Sequence, residues 1–240
     1  MIRRIRYRVK KLWEAIALIS FELLLVFIAF VISLSTLIAI IREIFFRKDF
    51  TVDENVFQYL SQHVTDTNTS IMQGASFLGS QLFLVPAWLM LLVIFYFVER
   101  NKWYLIKLLT ISLSTLLLML GLKFFFNRPR PLIPLLKQVP GLSFPSGHAF
   151  MSFVFYGMLI YIIYLEVKNV WLKGFIFFIL GLVIFSIGLS RVYLRVHYAS
   201  DVIAGFCFGL MSLVILLSLL RIIENYNKKV IPPALNTTKT

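Results

Sequence analysis

Three short polar clusters stand out in an otherwise apolar chain. They occupy residues 123–131 (KFFFNRPRP), 143–148 (SFPSGH) and 190–201 (SRVYLRVHYASD). Together they supply several cations, two imidazoles and a carboxylate. Such groups are suited to acid–base and nucleophilic chemistry on an anion.

The first and third clusters contribute three cations, Lys123, Arg130 and Arg191. Arginine presents a planar fork that matches phosphate oxygens, and lysine presents a point charge. A phosphate group carries a charge of roughly −1.5 to −2 at neutral pH. Three cations would bind that group and stabilise the extra charge of a phosphoryl-transfer transition state. We therefore expect all three residues to bind substrate.

The second cluster, Pro-Ser-Gly-His, has the composition of a helix start. Ser146 is suited to cap the helix, and Gly147 allows the backbone to come close to a ligand. The free amides and the positive end of the helix dipole would attract an anion there. Ser146 and Gly147 are therefore predicted to contribute to substrate binding as well.

The two imidazoles and the carboxylate suggest a division of catalytic roles. His197 and Asp201 are four residues apart, which places them on one face if the segment is helical. A carboxylate bonded to one imidazole nitrogen fixes the tautomer and leaves the other nitrogen free to attack. We predict that His197 attacks phosphorus, that Asp201 orients it, and that His148 protonates the leaving oxygen. Water would then cleave the phosphohistidine, with His148 as base.

These clusters resemble those of the type 2 phosphatidic acid phosphatase (PAP2) superfamily, which covers membrane lipid phosphatases, soluble acid phosphatases and vanadium haloperoxidases. The family pattern is Lys, six residues, Arg-Pro; then Pro-Ser-Gly-His; then Ser-Arg, five residues, His, three residues, Asp. Each fixed position has its counterpart here, in the same order: Lys123, Arg130, Pro131, Pro145, Ser146, Gly147, His148, Ser190, Arg191, His197 and Asp201. The resemblance implies metal-independent phosphatase chemistry through a phosphohistidine. Among bacterial branches, the chain looks most like phosphatidylglycerophosphate and undecaprenyl-diphosphate phosphatases.

Two features depart from the family pattern or exceed it. The first cluster holds a second Arg-Pro pair, so Arg128 could share or replace the contact expected of Arg130. In the third cluster, Arg195 and Ala199 stand where relatives often have Gly and Pro. Arg195 adds a cation beside the nucleophile, which suggests a preference for a more anionic substrate such as a diphosphate.

A metal site is the main chemical alternative, because two histidines and one aspartate could form a facial triad. However, the clusters hold a single carboxylate among several cations. This charge balance favours an anion over a divalent cation, so we expect neither a metal nor another cofactor.

The composition indicates how these residues are positioned. The chain has 240 residues, of which 60% are hydrophobic and only 15% charged, and it includes 24 Phe. A soluble domain of this size could not bury so many large apolar side chains. A polytopic membrane protein is therefore predicted. Its single cysteine, Cys207, excludes an intrachain disulfide.

Continuous apolar runs long enough to cross the bilayer predict an all-α bundle of six transmembrane helices. The spans fall at roughly 15–41, 78–98, 104–123, 148–166, 172–190 and 199–220. We expect a single domain over residues 1–240, with the family motifs concentrated in 120–205. The first span follows a basic start, but it is too long for a cleaved signal peptide, so it is predicted to remain as an anchor.

The net charge of +13 fits a membrane protein whose cytoplasmic segments are basic. Both termini in the cytoplasm place most of the 24 Lys and Arg residues on the inner side. All three polar clusters then lie on the outer face. The cations of those clusters run against the positive-inside tendency, which suggests that they face an anion.

The sequence therefore predicts a lipid phosphatase of the cell membrane, with its active site on the extracytoplasmic face. Its expected partners are a membrane lipid phosphate and the bilayer, with no nucleic acid and no obligate protein partner. Two alternatives remain open: a phosphotransferase with an acceptor other than water, and a non-catalytic lipid binder or transporter. The choice of substrate is expected to depend on the loops at 42–77 and 131–143.

Overall fold

The computed structural model describes the backbone of residues 2–99, 101–131, 133–135 and 140–230. Side chains are described for residues 21–99, 101–131, 133–135 and 140–227. The basic N-terminal side chains, Arg100, part of the 131–143 loop and the tail after residue 230 lie outside these ranges. The described part of the chain is all-helical and contains no strand, as predicted.

The described residues form eight α-helices. They are α1 (Ile2–Ile41), α2 (Thr51–Ser61), α3 (Asp66–Leu78), α4 (Gln81–Phe97), α5 (Lys102–Phe126), α6 (Gly147–Glu166), α7 (Val170–Tyr193) and α8 (Ala199–Val230). A π-helical turn, Arg42–Arg47, continues α1.

Within the described residues, six segments are long and apolar enough to cross a membrane, which confirms the predicted number of spans. They are Phe21–Arg47, Asp66–Phe97, Lys102–Phe126, Gly147–Glu166, Val170–Tyr193 and Ala199–Asn227. The second differs most from its predicted range of 78–98. It includes α3, which meets α4 at Gly79 and Ser80.

The segment 42–77, described above as a loop, contains α2 and all but the last residue of α3. Thr65 caps α3, because its side-chain oxygen accepts a hydrogen bond from the Asn68 amide at 3.1 Å. Helix α3 packs extensively against α7, and α2 contacts both α7 and α8. These two helices therefore lie against the end of the bundle where α7 ends and α8 begins.

Local capping fixes the helix ends that carry the polar clusters. Helix α5 begins at a side-chain cap from Asn101 and ends at Asn127, which has a left-handed φ of 43°. Pro129 and Pro131 follow at once and prevent the helix from continuing. This places Lys123 in the last turn of α5 and Arg130 in the loop beyond it.

Helices α6 and α8 pack closely against each other. A Cβ atom placed on Gly205 would lie 2.9 Å from the Ser146 carbonyl oxygen and 3.0 Å from the Ala149 Cβ. One on Gly209 would lie 3.0 Å from the Phe153 Cβ. Small residues spaced four apart allow two membrane helices to approach closely. The contact brings the start of α6, which carries the second polar cluster, against the start of α8, which carries part of the third.

Candidate active site

The polar clusters meet at one end of a cavity of about 710 Å³. Six residues of the predicted site line it: Lys123, Arg130, Gly147, His148, Arg191 and His197. They come from the ends of α5, α6 and α7 and from the connections that follow α5 and α7. The structure therefore brings together residues from all three clusters.

The three predicted cations of this cavity contact neutral oxygen atoms in the described structure. The Lys123 Nζ donates to the Leu142 carbonyl at 2.6 Å, and the Arg130 Nη1 donates to the Val196 carbonyl at 3.0 Å. The Arg191 Nη1 donates to the Ser76 hydroxyl at 2.5 Å. Since these partners leave the positive charges uncompensated, the cavity is suited to an anion.

Arg191 also retains an unused donor. Its side chain is buried, and its Nε has no hydrogen-bond partner among the described residues. A buried donor without a partner is unfavourable, and an anionic oxygen would satisfy it.

His197 is buried, and its two ring nitrogens face different partners. The Nδ1 lies 3.5 Å from the Asp201 Oδ2, and the Nε2 lies 3.4 Å from the Arg130 Nη1. At this distance Nδ1 forms no hydrogen bond with Asp201, and it has no other hydrogen-bond partner among the described residues. Catalytic hydrogen bonds of this kind commonly tighten only when substrate is bound.

The pKa of His197 favours a neutral imidazole at physiological pH. Burial lowers this pKa from its ordinary 6.5 to about 4. The Asp201 carboxylate raises it, whereas the nearby Arg130 and Arg191 charges lower it further. A neutral ring is the form that can act as a nucleophile.

His197 and Asp201 are neighbours, but not because both lie on one helical face. His197 lies in the turn before α8, whereas Asp201 lies in the first turn of that helix. The Asp201 Oδ2 accepts a hydrogen bond from the Tyr198 amide at 2.9 Å. A side chain that reaches back to the start of its own helix in this way is typical of a capping box. The turn at the start of α8, rather than helical periodicity, therefore brings His197 and Asp201 together.

His148 is the second residue of α6 and lines the same cavity as His197. Ser146 caps this helix as predicted, since its hydroxyl accepts from the Ala149 amide at 3.5 Å. Ser146 is completely buried and does not line the cavity, whereas Gly147 does. Of the two residues predicted to bind substrate here, the structure places only Gly147 at the cavity wall.

The two arginines of the Arg-Pro-Arg-Pro segment have different positions. Arg130 lines the cavity. Arg128 does not; it is buried and forms ion pairs with Asp53 at 2.9 Å and with Asp201 at 2.7 Å. Arg195 is likewise absent from the cavity wall, and it has a left-handed φ of 55°, a conformation that favours glycine. This conformation fits the glycine that relatives often have at that position.

The remainder of the cavity is apolar and extends between two helices. Its walls include Leu84, Trp88 and Leu92 of α4, and Leu109 and Leu116 of α5. At 1.5 Å per residue, the cavity wall along α5 from Lys123 to Leu109 is about 21 Å long. The cationic end of the cavity thus continues into a long groove that is mostly apolar.

Several residues around the site were not predicted from the sequence. Gly79 and Gln81, at the junction of α3 and α4, line the cavity, and Ser76 and Asp53 contact the arginines described above. No motif marks these four residues. Within the described ranges, no group of three or more His, Cys, Asp or Glu side chains is placed to hold a metal ion.

Comparison with known proteins identifies the family and agrees with this fold. Residues 103–223 match the model of the PAP2 superfamily. The chain is also 33% identical over 148 residues to phosphatidylglycerophosphatase B of Bacillus subtilis (strain 168), a match that covers 59% of this chain and 70% of that protein. The chain belongs to the PAP2 superfamily.

Two solved structures are similar. One is a transmembrane PAP2-type phosphatidylglycerolphosphate phosphatase from Bacillus subtilis, with a TM-score of 0.70 and 24% identity, covering 85% of this chain and 98% of the other. The second is Aquifex aeolicus LpxE, with a TM-score of 0.52 and 28% identity, covering 68% and 93%. The first likeness concerns the fold. The family match, the named relative and the six spans identify a multi-pass membrane phosphatase of the PAP2 type that acts on lipids.

Proposed function

We propose that this phosphatase hydrolyses a phosphate mono- or diphosphate ester of a membrane lipid, through a phosphohistidine, at the extracytoplasmic face of the cell membrane. The observation that carries the proposal is the continuity of the cavity. One end holds two imidazoles and three cations, and the other runs between apolar faces of α4 and α5. A lipid phosphate has the same two-part chemistry, with an anionic head attached to a long apolar tail.

Phosphate binding is assigned to Lys123, Arg130 and Arg191, assisted by the first amides of α6. The helix dipole adds positive potential at Gly147 and His148. The described contacts of the three cations are neutral oxygens, so their charge is available to the phosphate. Bidentate arginine contacts would also stabilise the trigonal-bipyramidal transition state.

His197 is proposed as the nucleophile, with Nε2 as the attacking atom because Nδ1 faces Asp201. As the new N–P bond forms, the bond from phosphorus to the lipid oxygen breaks, and His148 donates a proton to that oxygen. His148 then takes a proton from water, whose oxygen attacks phosphorus. The N–P bond breaks, inorganic phosphate leaves and neutral His197 is restored. Asp201 compensates the positive charge that the ring of His197 carries in the intermediate.

The extracytoplasmic location rests on the distribution of charge. Six spans place both termini on one side, and the basic termini favour the cytoplasm. The site is built where α5 and α7 end and where α6 and α8 begin, which is the opposite side of the membrane.

Phosphatidylglycerophosphate is the first substrate to test, because the curated relative is named as a phosphatidylglycerophosphatase. Phosphatidic acid and undecaprenyl diphosphate extend the screen to a smaller headgroup and to a diphosphate. The experiment is phosphate release from each lipid by purified protein in detergent, with His197→Ala as the matched inactive variant. We expect release by the wild type, in excess chelator too, and none by His197→Ala. Wild-type turnover by His197→Ala would refute the mechanism, and activity that requires an added metal ion would refute the metal-independent route.

A non-water acceptor is tested in the same assay. Added glycerol or a lipid alcohol would, for a phosphotransferase, yield a new phosphate ester at the expense of inorganic phosphate. We expect inorganic phosphate as the main product under all these conditions.

A further inference from the structure

A group of charged and polar residues lies next to the proposed catalytic pair and outside the wall of the cavity. Its members are Asp53 of α2, Arg128 of the loop after α5, and Ser200 and Asp201 of α8. Asp53 and Arg128 are only 2% and 5% exposed. The substrate chemistry described above uses neither of them, and neither lines the cavity that holds His197.

Arg128 bridges two carboxylates. Its Nη1 donates to the Asp201 Oδ1 at 2.7 Å, and its Nη2 donates to the Asp53 Oδ2 at 2.9 Å. The guanidinium carbon also lies 4.0 Å from the centre of the Tyr198 ring. A planar fork stacked on an aromatic ring has little freedom to rotate. Arg128 is therefore a fixed donor that reaches the carboxylate next to the nucleophile.

Asp53 holds the same group from the other side. Its Oδ1 accepts from the Ser200 amide at 2.9 Å, and its Oδ2 accepts from the Ser200 hydroxyl at 2.6 Å. That hydroxyl also accepts from the Arg128 Nη1 at 2.9 Å. Asp53 thus anchors α2 to the first turn of α8, one residue before Asp201.

The two oxygens of Asp201 have separate partners as a result. Oδ1 accepts from Arg128, whereas Oδ2 accepts from the Tyr198 amide and the Ser143 hydroxyl and faces the His197 Nδ1. Rotation of the carboxylate would break both sets of hydrogen bonds. The contact with Arg128 therefore helps to keep Oδ2 turned toward His197.

The net charge of Asp53, Arg128 and Asp201 also matters for His197. Arg128 on its own would neutralise Asp201 and remove its ability to stabilise a cationic imidazole. Asp53 shares the guanidinium, so the three side chains together keep a net charge of −1. That remaining charge lies beside His197, where positive charge develops during the proposed attack.

We propose that Asp53 and Arg128 are positioning residues for phosphoryl transfer, which hold Asp201 in the orientation and at the charge needed to support His197. The inference rests on the proposed function, because it assumes that His197 is the nucleophile. The proposal also assigns a role to α2, which carries Asp53 and so connects to the proposed active site.

Three variants in full-length protein separate geometry from charge. Asp53→Asn removes a charge with little change of shape, and Arg128→Lys keeps the charge but loses the fork. Glu54→Gln is the matched control, since Glu54 is the neighbouring exposed carboxylate of α2. The measurements are kcat, KM and the pH dependence of phosphate release from phosphatidylglycerophosphate in detergent, with thermal unfolding recorded for each protein.

The pH readout follows from the groups that face His197. These are Asp201 from α8, Arg130 from the loop after α5, Arg191 from α7 and His148 from α6. Loss of the Asp53 charge leaves Arg128 paired with Asp201 alone, which makes the surroundings of His197 less negative. Its pKa then falls, so the acid limb of kcat/KM moves to lower pH.

We expect Asp53→Asn and Arg128→Lys each to lower kcat about 10- to 100-fold, as for other partners that orient a catalytic group, with KM within about twofold. Of these variants, only Asp53→Asn should move the acid limb of kcat/KM to lower pH. Glu54→Gln should match the wild type in all measurements. A kcat within twofold of wild type in both variants, or an unmoved acid limb in Asp53→Asn, would overturn the proposal.

Two further variants complete the test. Ser200→Ala loses one hydroxyl that joins Asp53 to Arg128 and leaves all charges in place, so it serves if the charged variants do not fold. We expect it to lower kcat about 3- to 10-fold, the range for one net hydrogen bond, and a wild-type kcat would count against the proposal. His197→Ala tests the proposed function separately, because its activity reports on the nucleophile whatever Asp53 does.

Discussion

The Arg191 guanidinium is held by Ser76, whose hydroxyl lies 2.5 Å from the Nη1 atom. Ser76 belongs to α3 and Arg191 to the last turn of α7, so this hydrogen bond joins α3 to the proposed phosphate site. The Ser76 hydroxyl is neutral, so the hydrogen bond fixes the direction of the Arg191 guanidinium without compensating its charge.

Ser76→Ala should therefore weaken phosphate binding while leaving the nucleophile intact. We expect KM for phosphatidylglycerophosphate to rise about three- to tenfold, which corresponds to the net contribution of one typical hydrogen bond, with kcat within about twofold. Steady-state kinetics in detergent measure this. Ser70→Ala, also on α3 but exposed and bonded to the Asp66 carbonyl, is the control. Unchanged KM in Ser76→Ala would show that Arg191 does not need this partner.

Gly147 offers a test of the cavity wall. A methyl group there would lie 3.7 Å from the Lys123 Cε and 3.6 Å from the Met119 Sδ, which are ordinary contact distances. Gly147→Ala should therefore fold normally but occupy space where we place the phosphate. We expect KM to rise about tenfold, equivalent to about 1.4 kcal/mol, with an unchanged unfolding temperature. Wild-type kinetics would place the phosphate elsewhere in the cavity.

The pH dependence of the reaction should reflect the lowered pKa of His197. The ring attacks only when neutral, and burial holds its pKa at about 4 instead of 6.5. The acid limb of kcat/KM, corrected for ionisation of the substrate phosphate near pH 6, should therefore fall below pH 6. An apparent pKa at or above 6.5 for the free enzyme would contradict this.

Asp201→Asn provides a second test of the pKa of His197. The Asp201 charge raises the pKa of His197, so its removal should move the acid limb further down while kcat falls. By comparison with the loss of an orienting aspartate in serine proteases, the fall in kcat should be about 10³- to 10⁴-fold. A shift of the limb to higher pH would show that Asp201 does not act on His197 through its charge.

Much of this site could be predicted from the sequence because its chemistry lies in short segments with fixed spacing. Lys123, Arg130, Gly147, His148, Arg191 and His197 belong to three motifs at helix ends, and they line one cavity. The six spans were likewise recognisable, since the hydropathy of a membrane helix is a local property.

Features that depend on contacts between distant segments could not be predicted in this way. Ser76 and Asp53 meet their arginines across 115 and 75 residues, and their own segments carry no motif. The two Arg-Pro pairs are alike in type, and only the fold shows that Arg128 faces Asp201 while Arg130 faces the cavity. The apolar groove depends on α4 lying beside α5, which hydropathy does not specify.

The close approach of α6 and α8 provides a test of how the fold positions the site. A methyl group on Gly205 would lie 2.9 Å from the Ser146 carbonyl oxygen, so the two helices must separate to accept it. Gly121, in contrast, has nothing within 4 Å of the corresponding position. Gly205→Ala should destabilise the protein by about 1–3 kcal/mol through overpacking. Gly121→Ala should be neutral or stabilising, by up to about 1 kcal/mol, because alanine favours the helix. Thermal unfolding of both variants in the same detergent measures the difference.

Since the Ser146 carbonyl lies at the start of α6, Gly205→Ala should also lower phosphate release by displacing His148 from His197. Equal unfolding temperatures for the two variants would mean that α6 and α8 do not require this close contact.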